Sequence, residues 1–463
     1  MKLPLPRIAE FIGATGEYDA RALAQGYSID SRTIQPGELF FAVKGERLDG
    51  HDFVEQALSN GAVAAVVRKD HLPRYSAKSG LLAVDDTLIA LQTLATAVRK
   101  LWGKTGIAIT GSMGKTTAKE AMAHLLSVRH RVHRSKGNFN NHFGLPLGLL
   151  TLEPEYDLAV IEMGMSHAGE IAALARIALP NEGVVTSVGP VHLEFFDSVA
   201  GIARAKYELI EALPHGGTAV LNADDEYVSQ FGRDFNGKVV LFGLKSAADV
   251  RAENIQVLGG EGARFDLVSR GVRQPVHSPL LGKHNVYNVL AAAAVALEHG
   301  IAPSEIAAAV PSLKPADKRG EVVQLGNITV LNDCYNSSPK ALMAAVDVLA
   351  AIPARRRIVV AGEMLELGVT GEQLHRECGR YIADKKLDFL LGVRGLAKVM
   401  VEAALAAGVK AEFVATPEEA GEWLAREARD GDAVLLKASR GVKLEKALES
   451  WQRKSAASGI AND

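Results

Sequence analysis

Residues 110–117 read TGSMGKTT, and they hold the densest set of chemistry-bearing groups in the chain. Gly111 and Gly114 let the backbone turn its N–H groups toward an anion. Lys115 can reach the outer phosphates of a nucleotide as a point charge. The Thr116 hydroxyl is the expected ligand for a magnesium ion carried on those phosphates. Thr110, Ser112, Met113 and Thr117 complete the loop. It follows an apolar run at 107–110 and precedes a helical pattern over 116–127. A phosphate loop belongs there, with the positive end of the helix at the anion. The common eight-residue pattern would put glycine at position 109, where this chain has Ile109. A glycine turn without a ligand is the plainer alternative.

Other segments could add to this loop. Glu162 ends the hydrophobic run of VIEMGMS (160–166), at the carboxyl edge of a strand. Magnesium on a triphosphate takes one or two carboxylates, although a strand-end carboxylate is also ordinary surface. His192, in VGPVHLEFFDS (188–198), follows another strand end, a position equally open to a structural histidine. Lys206, in IARAKYELIEALP (202–214), lies on an amphipathic helix and by itself reads as a surface lysine. Asn285 and Asn288, in GKHNVYN (282–288), share one helix face. Their amides suit both edges of a purine or a helix cap. Arg319 sits in ADKRGE, and Asp333 and Tyr335 sit in LNDCYNSSP. An arginine that arrives with domain closure stabilises a transferring phosphoryl group; the alternative is a solvated linker arginine.

The elements that must position these groups alternate between strand-length apolar runs and helical patterns. That alternation predicts α/β architecture with largely parallel sheets. Strands are expected at 38–43, 62–67, 107–110, 158–163, 184–188 and 219–222. Helices are expected near 87–101, 116–127 and 286–299. The stretch PSLKPADKRG (311–320) reads as a linker. Beyond it, strands at 328–332, 358–361, 389–393 and 434–437 alternate with helices as in a doubly wound sheet. The predicted organisation is three domains, at 1–101, 102–312 and 313–463: an N-terminal unit, a central phosphate-loop ATPase-type parallel sheet and a C-terminal Rossmann-like sheet. Residues 454–463 are small and polar and are expected to fray.

The 463 residues carry 52 basic and 54 acidic side chains, a formal charge of −2. That balance argues against nucleic-acid binding through bulk positive charge. Cys334 and Cys378 are the only cysteines, too few for a disulfide framework or a thiolate cluster, as expected of a cytoplasmic protein. Neither a signal-peptide core nor an apolar run of about 18 residues is present, so no membrane span is expected.

Taken together, the quoted segments resemble the Mur ligase family of peptidoglycan synthesis over essentially the whole chain. The loop without glycine at 109 is the family's own form. The resemblance implies an ATP-dependent carboxylate–amine ligase that forms an acyl phosphate, with an N-terminal UDP-substrate domain and a C-terminal domain that closes over ATP. It implies two magnesium ions, held with the help of Glu162, His192 and a carbamylated Lys206. Carbamylation needs an unprotonated amine, so the site would have to depress the lysine pKa. Asn285 and Asn288 would contact adenine, and Arg319, Asp333 and Tyr335 would lie near phosphate and ribose.

SIDSR (28–32) and KGERLDGHDF (44–53) resemble the uridine-nucleotide domain of the members that add the third and later residues. Ser31 and Arg32 would be its contacts, or the segment is simply a turn between strands. KGNFNNHFGLP (136–146), with Asn138, Asn140 and Asn141 as substrate contacts, resembles the last adder. So do GEMLELG (362–368) followed by His375, and KASRGVKLE (437–445). That member joins D-alanyl-D-alanine to UDP-N-acetylmuramoyl-tripeptide, and a monomer suffices. The third-residue adder would show a charged tetrapeptide signature that is missing here. A folylpolyglutamate-synthase-like ligase would share the ATP site without the uridine segments. A nucleotide switch would need the loop but no second metal set. Two departures stand out: Met113 where Asn or Ser is common, and Ala438 in place of the glycine of Lys-Gly-Ser.

Overall fold

The structure is a computed structural model that describes residues 1–457 apart from 76–78, 138 and 246. It contains a four-stranded parallel sheet, a nine-stranded central sheet and a six-stranded C-terminal sheet. The α/β class and the C-terminal doubly wound sheet match the expectation.

The central sheet is built around Thr105–Thr110, a buried apolar strand flanked in parallel by Leu158–Glu162 and Glu182–Val185. Further parallel strands, Thr218–Asn222 and Lys238–Gly243, extend it. The sequence reading missed its far side. Val250–Val257, Ala263–Ser269 and Val272–Ser278 form an antiparallel ribbon. Their sequences mix charges with apolar residues, and Pro275 lies in the last of them, which forms the sheet edge where a missing N–H is tolerated.

The C-terminal sheet runs Glu321–Leu325, Ile328–Asn332, Asp432–Lys437, Arg356–Gly362, Phe389–Val393 and Lys410–Val414, parallel except at its first strand. Separate apolar clusters cover its two faces. Its last helix, Glu445–Ala457, continues where fraying was expected. Lys454 pairs with Glu422 at 2.8 Å, so the chain is helical through 457; the rest of the expected tail lies outside the described residues.

One apolar cluster runs across the predicted boundary at 101, beside a smaller cluster confined to residues 34–81. Helix Thr87–Trp102 starts at Asp86, whose carboxylate accepts the Ile89 N–H, and stops at Gly103 in the left-handed conformation. Its stripe of Leu91, Leu94, Ala95 and Val98 joins Leu145, Leu149, Leu174 and Ala178 in one buried cluster. Buried Arg99 donates to the carbonyls of Ala178 and Leu179 at 2.8 and 3.0 Å, capping the helix Glu170–Ala178 of the central domain. The small parallel sheet lies across this helix. The N-terminal unit and the central domain are fused by packing.

Candidate active site

The phosphate loop leaves the carboxyl end of Thr105–Thr110, in the crevice where open parallel sheets bind ligands. Thr110 is buried, its hydroxyl donating to the Met163 carbonyl at 3.0 Å. Gly111 has φ +152°, and a Cβ there would fall 1.9 Å from the Thr186 hydroxyl. Gly114 has φ +83°, and a Cβ there would fall 2.2 Å from Asn288 Oδ1. Both glycines are therefore required by close approach as well as by backbone conformation.

The loop uses fewer of its N–H groups for an anion than expected. Ser112 N–H donates to the Ser187 carbonyl at 2.8 Å, and Met113 N–H to the Ser187 hydroxyl at 3.2 Å. These bonds hold the loop to the strand end at 187. The donors aimed at a ligand are those opening the helix Lys115–Leu126, where Lys115, Thr116 and Thr117 have no intrahelical acceptor. Gly114→Ala introduces backbone strain of about 1–3 kcal/mol and a clash with Asn288. It is expected to weaken binding of a non-hydrolysable ATP analogue at least about tenfold. Calorimetric titration reads this directly, and unchanged affinity would refute the geometry.

Glu162 and Thr116 meet at the bottom of the site. Glu162 Oε1 accepts the Thr116 hydroxyl at 3.2 Å and the Asn140 amide at 2.9 Å. Glu162 Oε2 is buried and accepts no hydrogen bond. An orphaned carboxylate oxygen beside a threonine hydroxyl is a hard-oxygen set that fits magnesium.

Lys119, which the sequence reading did not single out, stands 3.6 Å from that oxygen. It is fully buried, donates to the Ser135 carbonyl at 2.8 Å and pairs with Glu120 at 3.1 Å. Its signal was spacing: one turn beyond Lys115, a charge interrupts the apolar run of Ala118, Ala121, Met122 and Leu125.

Lys115 donates to the Gly111 carbonyl at 2.5 Å. Desolvation pushes its ammonium down to about 8 against the attraction of Glu162, and the nearby charge of Arg319 adds to the fall. Lys206, on Val199–Glu211, is not the surface residue that its segment alone suggests. It is buried, and burial first and Lys115 second hold its pKa well below that of an ordinary lysine. His192 does not join Glu162 or Lys206 by any hydrogen bond or ion pair among the described residues. Its Nδ1 lies 2.5 Å from Glu366 Oε2 of the C-terminal domain.

Asn285 and Asn288 are buried on the helix Lys283–Glu298 and line the cleft. Asn288 donates to Asn285 Oδ1 at 2.8 Å, and Asn285 to the Leu281 carbonyl at 2.7 Å. The pair therefore packs against Gly114 as well as facing the cleft. Across the cleft, the Arg319 guanidinium stacks on the Tyr335 ring at 4.2 Å. Asp333 Oδ2 accepts from Lys437 at 2.5 Å, and Lys437 also donates to the Asn336 carbonyl at 3.1 Å. Lys437 was quoted in a motif without a role; the structure makes it the partner of Asp333. Ala438 is buried without a left-handed backbone, and Gly362 makes room for it: a Cβ on Gly362 would come within 2.5 Å of the Ala438 methyl.

The remaining expected contacts are engaged with the protein. Asn141 Oδ1 accepts the N–H groups of Phe143 and Gly144 and caps the helix Gly144–Leu150. Asn140 holds Glu162, and Asn138 lies outside the described residues. Ser31 is buried, its hydroxyl donating to Gln56 at 3.0 Å. Arg32 is exposed and forks onto Asp30 at 2.9 and 2.6 Å. His375 accepts the Met364 N–H at 2.9 Å and so braces the 362–368 turn. A second cluster, Asp49, His51 and His71, has metal-ligand proximity. His51 spends Nδ1 on Asp49 at 2.6 Å and accepts the Arg68 N–H at Nε2 at 3.0 Å, which leaves no lone pair for a cation.

Ser112–Lys115 and Thr117 of the loop, Asn285 and Asn288, and Arg319, Asp333 and Lys437 of the C-terminal domain line one cleft of about 290 Å³ between the central and C-terminal domains. Three family descriptions match the chain in order: "Mur ligase family, catalytic domain" over 24–99, "Mur ligase middle domain" over 109–296, and "Mur ligase, glutamate ligase domain" over 318–440. A Bacillus subtilis UDP-N-acetylmuramoyl-tripeptide–D-alanyl-D-alanine ligase is 36% identical over 452 residues, covering 96% of this chain and 97% of that one. The chain belongs to the Mur ligase family. Among solved structures, this Mur ligase resembles MurF from Acinetobacter baumannii with a TM-score of 0.88 at 29% identity, over 98% of this chain and 99% of that one. It also resembles the MurF ligase of Thermotoga maritima in complex with ADP, with a TM-score of 0.81 at 28% identity, over 94% and 99%. No helix among the described residues is long and apolar enough to cross a membrane.

Proposed function

We propose that this Mur ligase joins D-alanyl-D-alanine to UDP-N-acetylmuramoyl-tripeptide at the expense of ATP, yielding ADP and phosphate. One observation carries the reading: Ser112–Lys115 and Thr117 of the phosphate loop line a single interdomain cleft with Arg319, Lys437 and Arg440, and the Thr116–Glu162 pair lies on the same loop and helix start. The whole-length likeness to ligases of that name supports the choice of substrates.

The chemistry follows from the difficulty of the bond. A carboxylate resists attack by an amine because its oxygen leaves poorly. The tripeptide carboxylate therefore attacks the γ-phosphorus of ATP and ADP departs. The free amine of the dipeptide attacks the acyl carbon of the resulting acyl phosphate. The tetrahedral adduct loses a proton from nitrogen and expels phosphate.

Lys115, Arg319 and the helix start at 115–117 offset phosphate charge, so that carboxylate and triphosphate can approach each other. Thr116 and Glu162, with His192, would hold magnesium, which supplies charge neutralisation and in-line alignment of the phosphoryl group. Lys206, whose buried amine is held well below the ordinary lysine pKa, would take up carbon dioxide as a carbamate and add an anion to the metal set. Asn285 and Asn288 border the adenine, and Tyr335 and Asp333 the ribose side. Arg32 would release Asp30 to meet the uridine diphosphate beside Ser31 in the N-terminal unit. The C-terminal domain excludes water that would hydrolyse the acyl phosphate.

The test is phosphate release from magnesium ATP with the UDP-tripeptide, with and without D-alanyl-D-alanine. Release that requires both is the expected result. Release with a single free amino acid in place of the dipeptide would move the assignment to another member of the family.

A further inference from the structure

We propose that Glu366 is a positioning residue for His192, so that docking of the C-terminal domain completes the imidazole as a metal ligand. The inference rests on the reading of His192 as a magnesium ligand.

Two turns from different domains interlock here. His192 follows the strand Glu182–Val185 of the central sheet, and Glu366 follows Arg356–Gly362 of the C-terminal sheet. Both residues are left-handed, at φ +56° and +63°, a conformation that side-chain-bearing residues seldom adopt. The turns touch at three places. His192 Nδ1 lies 2.5 Å from Glu366 Oε2, and the Glu194 N–H donates to the Glu366 carbonyl at 3.2 Å. Gly368, at φ +55°, lies so close that a Cβ would stand 3.2 Å from Glu194 Cα. The strained residues and the missing side chain serve one contact.

The chemistry of that contact is directional. A neutral imidazole can carry its proton on either nitrogen and can turn about its side-chain bonds. A carboxylate at Nδ1 holds the proton there, fixes the ring plane and leaves the Nε2 lone pair for a cation. Here the carboxylate comes from the far side of the linker. Closure therefore selects the ligating tautomer, and by reciprocity a cation on His192 favours closure. With the domains apart, His192 would lose this carboxylate partner and be the weaker ligand.

The experiment uses the full chain with Mn²⁺ as a paramagnetic probe and a non-hydrolysable ATP analogue. Binding of Mn²⁺ is read by electron paramagnetic resonance and closure by small-angle scattering. Glu366→Ala is expected to weaken Mn²⁺ binding about tenfold and to leave the scattering radius nearer that of the ligand-free protein. Glu366→Gln, which keeps the size and one acceptor oxygen, is expected to fall between the two. Mn²⁺ affinity within twofold of the unaltered enzyme in both variants would overturn the proposal. His192→Ala separates the two levels of inference. If it weakens Mn²⁺ binding while the Glu366 variants do not, the positioning role fails and the ligand assignment stands. If it changes nothing, the ligand assignment fails and the proposal falls with it.

Discussion

Lys115→Ala is expected to lower ATP-dependent turnover by about a hundred- to a thousandfold or more, with the fold intact. Among the described residues the side chain makes one hydrogen bond, to the Gly111 carbonyl, and no ion pair. After its removal the buried Glu162 carboxylate still has Lys119 as its ion-pair partner. Its ammonium is moreover held at a cost. Burial lowers its pKa to about 8 in the folded chain, whereas an unfolded lysine titrates near 10.4. Below about pH 8 both states are protonated and the full penalty applies. It is relieved as pH rises from about 8 toward the unfolded value, where the unfolded chain binds more protons and stability increases. Removing Lys115 should therefore leave the denaturation midpoint unchanged or slightly raised at neutral pH. Steady-state phosphate release and chemical denaturation together check both halves. An active variant would remove the phosphate-loop assignment.

Lys119→Met is the opposite case: large in stability first. Lys119 is fully buried, and its partner Glu162 is 2% exposed. Breaking a buried pair by removing one member costs about 3–5 kcal/mol, because the other charge stays behind. The Ser135 carbonyl also loses a donor. The variant should shift the central-domain transition in urea by that amount. The double variant Lys119→Met with Glu162→Gln should recover much of the loss, since the stranded charge is gone. A Lys119→Met midpoint within error of the parent would show that the pair contributes nothing.

What could be read in the sequence divides along the same line. The phosphate loop was legible because its parts are contiguous: strand, glycines, lysine and helix start lie within a dozen residues. Glu162, Asn285, Asn288 and Asp333 were legible as strand-end or helix-start residues in quoted segments. Their partners were not. Lys119 meets Glu162 across 43 positions, and Lys437 meets Asp333 across 104. No local pattern announces such pairs. Asn140 and Asn141 were read as substrate contacts because amides suit a peptide; their hydrogen bonds to Glu162 and to the N–H groups of Phe143 and Gly144 had no local signal. The ribbon at 250–278 escaped because edge strands alternate weakly and tolerate proline. Ala438 was a puzzle in one dimension only, since the space it needs is supplied by Gly362.

The shared core around the helix Thr87–Trp102 bears on how the molecule can move. Leu91, Leu94 and Val98 on one side and Leu145, Leu149 and Leu174 on the other cannot part without baring an oily seam. Arg99 rivets the same joint through two carbonyls. Residues 1–101 and the 110–117 loop are tied to one apolar seam, so a movement that separated them would have to open it, whereas no such seam among the described residues has to open for a bend near 313–320.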